Sequence, residues 1–187
     1  MIVSNLSDEV CPVWLSSLLN NMFRTYIHNP QKIMGDYVKR GQTVADIGCG
    51  PGFFSVALAE MVGAAGNVWS VDLQPQMLAR VRAAAERLDL QPRIVLHQCQ
   101  EDSLNIEEKV DFALAFWMVH EVPNARNFFA EIVSILKPDG LFMLVEPKVH
   151  TSAAKFQAEI TAACEVGLKP CKEIKVRISR GMLFSLP

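Results

Sequence analysis

The sequence predicts an α/β fold: a mostly parallel sheet with helices on both faces. Three observations carry this. Short apolar runs alternate with segments of helical spacing along most of the chain. The run "VDFALAFW" (110–117) is too apolar for a solvated face, as a strand buried on both sides must be. The first apolar run is followed at once by three glycines within five residues, "GCGPG" (48–52). Alternation at such short intervals implies parallel strands joined by crossover helices. With 187 residues, half of them hydrophobic, the chain is expected to form a single domain, 1–187, with a sizeable core.

Taken in order, residues 12–22 place Trp14, Leu15, Leu18, Leu19 and Met22 at helical spacing. A second helix is expected over about 30–39, with Pro30 in its first turn. Residues 1–40 thus read as a helical lead-in that covers one side of the domain or closes over a ligand, and Gly41 ends it. "TVADI" (43–47) is the first strand, and Phe54 to Met61 the helix after it, ended by Gly63 and Gly66. "NVWSVD" (67–72) is the second strand. Pro75 opens a long helix whose Leu78, Val81, Ala85 and Leu88 recur on one face. "RIVLHQ" (93–98) and the 110–117 run are the third and fourth strands. A helix over 125–137 ends before Pro138-Asp139-Gly140, and "LFMLVEP" (141–147) is the fifth strand. A helix over 152–165 precedes "KEIKVRISRGMLFSL", which is expected to form two strands with Gly181 near their turn.

Composition excludes several classes. A net charge of −2, from 18 basic and 20 acidic residues, gives no general attraction to nucleic acid. The basic residues Lys169, Lys172, Lys175, Arg177 and Arg180 carry no interleaved aromatics for base stacking; Lys175 and Arg177 are expected on the solvated face of a hairpin strand. The N-terminus has no basic start and is a poor signal peptide, and no run of about 18 apolar residues predicts a membrane span. Five cysteines, at 11, 49, 99, 164 and 171, show no Cys-x-x-Cys spacing. They suggest neither a disulfide framework nor a metal site, and a reducing, cytoplasmic compartment is expected.

The glycine bend locates the chemistry. Ligands on parallel sheets bind beyond the C-terminal strand ends, where Gly48, Gly50 and Gly52 let the main chain approach a ligand and the next helix offers unpaired N–H groups. Asp72 ends the second strand, where a carboxylate can accept both hydroxyls of a ribose. A dinucleotide site wants Gly-x-Gly-x-x-Gly; here the spacing is one residue short, and Asp46 would oppose a pyrophosphate. The charges suit S-adenosylmethionine, which carries an ammonium, a sulfonium, a carboxylate and a ribose but no phosphate.

"VADIGCGPGFFSVALAEMVG", "VWSVDLQPQML", "VDFALAFWMVHEVPN" and "ILKPDGLFMLVEP" together resemble the class I S-adenosylmethionine-dependent methyltransferases, in particular their ubiquinone/menaquinone-type small-molecule subgroup. The resemblance covers about residues 38–148. It implies a Rossmann-like three-layer αβα sandwich on a seven-stranded sheet, its last strand antiparallel beside the fifth. It implies that Asp46 binds the ammonium, partly through water, and that Gly48, Cys49, Gly50 and Gly52 line the methionine portion. Asp72 holds the ribose diol, Leu73 covers an adenine face, and Asp102 and Ser103 meet the adenine edge. Phe116, with Trp117, lies beside the methionine end.

His120 and Glu121 follow the fourth strand on the side of the transferring methyl. His120 is the candidate general base because free imidazole ionises near neutrality. Glu121 is expected to orient it or to cap the next helix, with Asn124 as a rival cap. Glu146 and His150 at the end of the fifth strand, and Tyr26 and His28 in the lead-in, are candidate substrate contacts. Methyl transfer to a small molecule is the leading function. A cofactor-binding scaffold without catalysis and an NAD-dependent oxidoreductase are the alternatives. The acceptor atom and the oligomeric state are not legible in the sequence.

Overall fold

The computed structural model describes residues 27–187. The expected helix over 12–22, and Tyr26, lie outside the described residues. The elements are α1 (Pro30–Met34), β1 (Thr43–Ile47), α2 (Phe53–Val62), β2 (Asn67–Asp72), α3 (Pro75–Arg87), β3 (Ile94–Gln98), β4 (Val110–Phe116), α4 (Ala125–Ile135), β5 (Leu136–Pro147), α5 (Ala153–Glu165), β6 (Lys169–Glu173) and β7 (Ser179–Ser185).

They form one seven-stranded sheet in the order β3-β2-β1-β4-β5-β7-β6. Strands β1 to β5 pair in parallel, and β7 is antiparallel to both β5 and β6. Period-two alternation sorts the side chains onto two layers. On β4, Phe112, Leu114 and Phe116 pack with α1 and α2 through Met34, Phe54 and Leu58, while Ala113 and Ala115 face α4 and α5 through Phe129, Ile132 and Ile160. Small residues on the second face let α4 and its phenylalanines seat closely. Phe129 is fully buried, so truncating it to Ala costs about 3–5 kcal/mol.

The helix starts follow from local chemistry. Asn124 and Ser152 cap α4 and α5, accepting from the N–H of Asn127 and Lys155, and Pro75 opens α3. Asn124 thus takes the capping position for which Glu121 was a candidate.

Three expectations change. The second lead-in helix is only five residues, because Gly35 ends it and the chain turns back through Tyr37 N–H to Met34 O. Pro138-Asp139-Gly140 is not a free turn but the irregular start of β5. Val110 pairs with Leu136 and Phe112 with Leu141, so the extra residues bulge out between them. A Cβ on Gly140 would stand 2.9 Å from the Lys137 carbonyl and 3.1 Å from Val110 O, a backbone approach too close for a side chain. Gly181 is not at the last turn either. It lies inside β7 opposite Val145, where a Cβ would meet Ile174 O at 2.8 Å. Lys175 and Arg177 therefore sit in the β6–β7 link rather than on one strand face.

β1 lies between β2 and β4. The chain leaves β1 toward one edge of the sheet, reaches β3, and returns across β1 to β4. Loops after β1 and β4 diverge at this switch point and leave a crevice.

Candidate functional site

A cleft of about 840 Å³ opens at the C-terminal ends of β1, β2, β4 and β5. Gly48, Cys49 and Gly50 form its floor after β1; Asp72, Leu73 and Gln74 continue it after β2; Asp102 and Ser103 follow β3. The other half is built from Phe116, Trp117, His120 and Glu121 after β4, and from Pro147, Val149 and His150 after β5.

The bend uses left-handed backbone at Gly48 (φ 66°) and Gly50 (φ 53°), positions that favour glycine. A Cβ added at Gly50 would find no protein atom within 4 Å, so the open side of this residue faces the cleft. Its N–H donates to Asp72 Oδ2 at 2.8 Å, and Gln74 N–H donates to Oδ1 at 2.9 Å. Each carboxylate oxygen thus accepts one backbone bond and keeps further lone-pair capacity toward the cleft. Burial raises the Asp72 carboxyl above its ordinary value, and the two N–H bonds pull the other way. Burial, then the charges of Asp46 and Asp72, push the Cys49 thiol well up, which disfavours the reactive thiolate.

Asp46 is not in the cleft wall. It is 2 % exposed and accepts a 2.6 Å hydrogen bond from Ser55 Oγ of α2, behind the bend. Gly52 likewise lies outside the cleft lining: it caps α2 at φ 91° and lines a separate groove of about 490 Å³ beside α2 and α3.

Ser103 is held by a residue that sequence reading passed over. Glu131 of α4 accepts from Ser103 Oγ at 2.8 Å and from Leu104 N–H at 2.7 Å, and itself lines the cleft. Its only signal was a carboxylate on the inner side of an amphipathic helix.

The β4 and β5 ends carry the most organised polar group. His120 lies in a 3₁₀ turn, Val119–Glu121, and its Nδ1 is 2.5 Å from Glu146 Oε2. Glu146 is completely buried. Its Oε1 accepts from Val119 N–H at 3.0 Å, and its Oε2 accepts also from Thr151 Oγ1 at 3.1 Å. Glu146, expected at the substrate, lies under the cleft and outside its lining, and it holds His120, the task expected of Glu121. Glu121 Oε1 is 3.8 Å from His120 Nε2, on the other side of the ring. His150 stacks on His120 with centroids 5.5 Å apart. The hydrogen bond from His120 Nδ1 to Glu146 is the main cause of a raised His120 ionisation; burial opposes it, the charges of Glu146 and Glu121 add to it, and Lys155 opposes it.

Glu159 of α5 is buried with both carboxylate oxygens lacking a hydrogen-bond partner among the described residues. Burial, then the charge of Glu146, raises its carboxyl to about 7. His28 is buried edge-on against Phe116 and Trp117, and its Nε2 lies 3.3 Å from Arg177 O. It packs behind the cleft wall and is not among the residues that line the cleft. Two non-glycine residues with positive φ, Trp117 (62°) and Ile178 (54°), line the cleft. The first is held by an indole bond to Ser179 Oγ at 2.9 Å, the second by Lys148 N–H donating to its carbonyl at 2.9 Å. Held strain of this kind concentrates at functional sites. Among the described residues no cluster of metal-ligating side chains occurs and no helix is long and apolar enough to cross a membrane.

Residues 44–140 match the family described as "Methyltransferase domain". The chain is 31 % identical over 118 residues to a demethylmenaquinone methyltransferase of Lactobacillus johnsonii, a match that covers 62 % of this chain and 48 % of that protein. It is 30 % identical over 128 residues to a ubiquinone biosynthesis O-methyltransferase of Actinobacillus pleuropneumoniae, covering 66 % and 51 %. The chain thus spans about half the length of the curated relatives it matches. In fold it is similar to a SAM-dependent methyltransferase from Aquifex aeolicus, with TM-score 0.85, 20 % identity, and coverage of 95 % of this chain and 100 % of that one.

Proposed function

From the premise that the chain belongs to the methyltransferase domain family, matched over residues 44–140, we propose that it transfers a methyl group from S-adenosylmethionine to a small hydroxylated aromatic acceptor of quinone type. The observation that carries this reading is the Asp72–Gly50 bond across the ends of β1 and β2. It ties a carboxylate suited to a ribose diol to a glycine whose open side leaves room for a ligand against the main chain.

The residues present fit the cofactor. Asp72 retains acceptor capacity on both oxygens for two ribose hydroxyls. Leu73, Asp102 and Ser103 flank the place of the adenine, and Gly48, Cys49 and Gly50 that of the methionine portion. Phe116 closes the floor beneath the methyl end. Asp46 acts from behind the bend, where its charge favours a cation over a phosphate in the cleft. Bound S-adenosylmethionine would supply a methyl group activated by a sulfonium.

The acceptor end is a wall of mixed chemistry. His120, Glu121 and His150 offer polar groups, while Pro147, Val149 and Ile178 make an apolar mouth in which Val149 is 84 % and Ile178 51 % exposed. Such a mouth suits a flat, lipophilic molecule that presents a polar edge inward. The two relatives, a demethylmenaquinone methyltransferase and a ubiquinone biosynthesis O-methyltransferase, support the same class of acceptor.

Calorimetric titration with S-adenosylmethionine, S-adenosylhomocysteine and NAD tests the reading. Saturable binding of the first two is expected; saturable binding of NAD alone overturns it in favour of an oxidoreductase. Binding without methyl transfer to any hydroxynaphthalene or hydroxyquinone acceptor would favour the scaffold alternative.

A further inference from the structure

We propose that Glu146 is the positioning residue that makes His120 a base over the cleft, and that the acceptor therefore arrives protonated on its nucleophilic oxygen. This deepens the methyl-transfer reading and rests on it for the reaction, but the positioning role stands on geometry alone.

Glu146 is fully buried at the end of β5 and is fixed at three points. Val119 N–H donates to Oε1, and Thr151 Oγ1 and His120 Nδ1 both address Oε2. An ionised carboxylate can only accept. Nδ1 of His120 must then carry the proton, which leaves Nε2 of the neutral ring with its lone pair free to accept one. His120 lines the cleft, and Nε2 lies on the side of Glu121, also a cleft residue. A histidine held in one tautomer by a buried carboxylate, with its second nitrogen turned to a ligand cleft, is the arrangement a general base needs.

Among the described residues the surroundings do not supply another holder. Lys155 Nζ donates to the backbone carbonyl of His120 at 3.3 Å, not to its ring. His150 covers one ring face by stacking, and Glu121 stands 3.8 Å from Nε2. Glu159 acts on the group through charge.

In the step so arranged, the acceptor hydroxyl gives its proton to His120 Nε2. An oxygen lone pair forms the bond to the methyl carbon as the carbon–sulfur bond breaks, and that electron pair stays on sulfur. The donor loses its positive charge, and His120 gains one as imidazolium beside Glu146.

The test uses Glu146→Gln, which preserves size. Val119 N–H still requires an acceptor at the Oε1 position, so the amide NH₂ must face Nδ1. That reverses the ring: Nδ1 becomes the acceptor and Nε2 carries the proton, unable to take another. ¹⁵N NMR of the histidine rings across pH, with His120 assigned through His120→Gln, reads this without donor or acceptor. Wild type is expected to show the proton on Nδ1 and ionisation above that of free imidazole. Glu146→Gln is expected to show it on Nε2 and ionisation at lower pH. Thr151→Val removes a rival donor to Oε2 and should move His120 the opposite way, which keeps the test decisive if the first variant fails to fold. The same tautomer and titration in every protein that folds overturns the proposal.

Kinetics at mildly alkaline pH supply the second arm, with 4-methoxyphenol, still protonated there, and 4-nitrophenol, largely ionised there. Glu146→Gln should lower kcat on the first by about 10²–10⁴-fold, lower it far less on the second, and leave the S-adenosylmethionine Kd unchanged. Equal losses on both probes overturn the base role. A wild-type protein that fails to bind S-adenosylmethionine refutes the proposed function instead, and leaves the NMR result to judge the positioning role.

Discussion

Ser55 Oγ and Asp46 Oδ2 are 2.6 Å apart, a buried hydrogen bond that pins the first turn of α2 to the end of β1. The glycine bend is strung between these two anchors. Ser55→Ala removes a donor from a buried carboxylate, and we expect a loss of about 1–3 kcal/mol in urea unfolding. An unchanged midpoint would mean that the bend is held by other contacts.

Asp72→Ala should weaken S-adenosylmethionine binding by about 1–3 kcal/mol, because charge-assisted bonds to two hydroxyls are lost. The variant also deprives Gly50 and Gln74 N–H of their acceptor. Calorimetry with the wild type alongside decides it; equal dissociation constants would remove Asp72 from the site.

Gly48 and Gly50 should separate folding from binding. Alanine at either costs about 1–2 kcal/mol for left-handed backbone. At Gly48 the added Cβ also meets the Met118 side chain at 2.8 Å, whereas at Gly50 it meets no protein atom. Gly48→Ala should therefore lower Tm further, while Gly50→Ala should show the larger loss of cofactor affinity. Thermal melts and calorimetry on both variants check the crossover.

Glu131→Ala should loosen the wall after β3. The carboxylate accepts from Ser103 Oγ and Leu104 N–H, so faster hydrogen exchange at residues 103–105 is expected, together with about 1 kcal/mol weaker cofactor binding. Unaltered exchange there would show that the loop holds itself.

Glu159 gives a stability that depends on pH. Its carboxyl is raised from 4.5 to about 7 in the folded protein, chiefly by burial. The folded state keeps this proton where the unfolded chain has released it. Stability from this group therefore falls as pH rises between those two values and is level above them. Raised His120 works in the same direction, since its stabilisation is lost as pH climbs through its folded ionisation. Glu159→Gln isolates the carboxylate: between about pH 5 and pH 8 its urea midpoint should fall less than that of the wild type. Parallel curves for the two proteins would count against it.

What the sequence by itself determined was the sheet and the half of the cleft built on the glycine bend. Strand and helix periods are local, and so is the chemistry of "GCGPG" and of a carboxylate at a strand end. The boundaries of β1, β2, α3 and α5 follow from a few neighbouring residues, and Gly48, Cys49, Gly50, Asp72, Leu73, Asp102, Ser103 and Phe116 do meet in one cleft. Tertiary structure alone decided where side chains at the strand ends point and what they bond. Glu146 lies 26 residues from His120, and Glu131 lies 28 from Ser103. No spacing rule links such pairs; parallel pairing of β4 with β5 and the packing of α4 bring them together. Asp46 shows the same limit from the other side. Its place in β1 was legible, but Ser55 and the burial of the strand turned it toward α2 rather than the cleft, because a buried carboxylate goes to the donor that the fold places within reach.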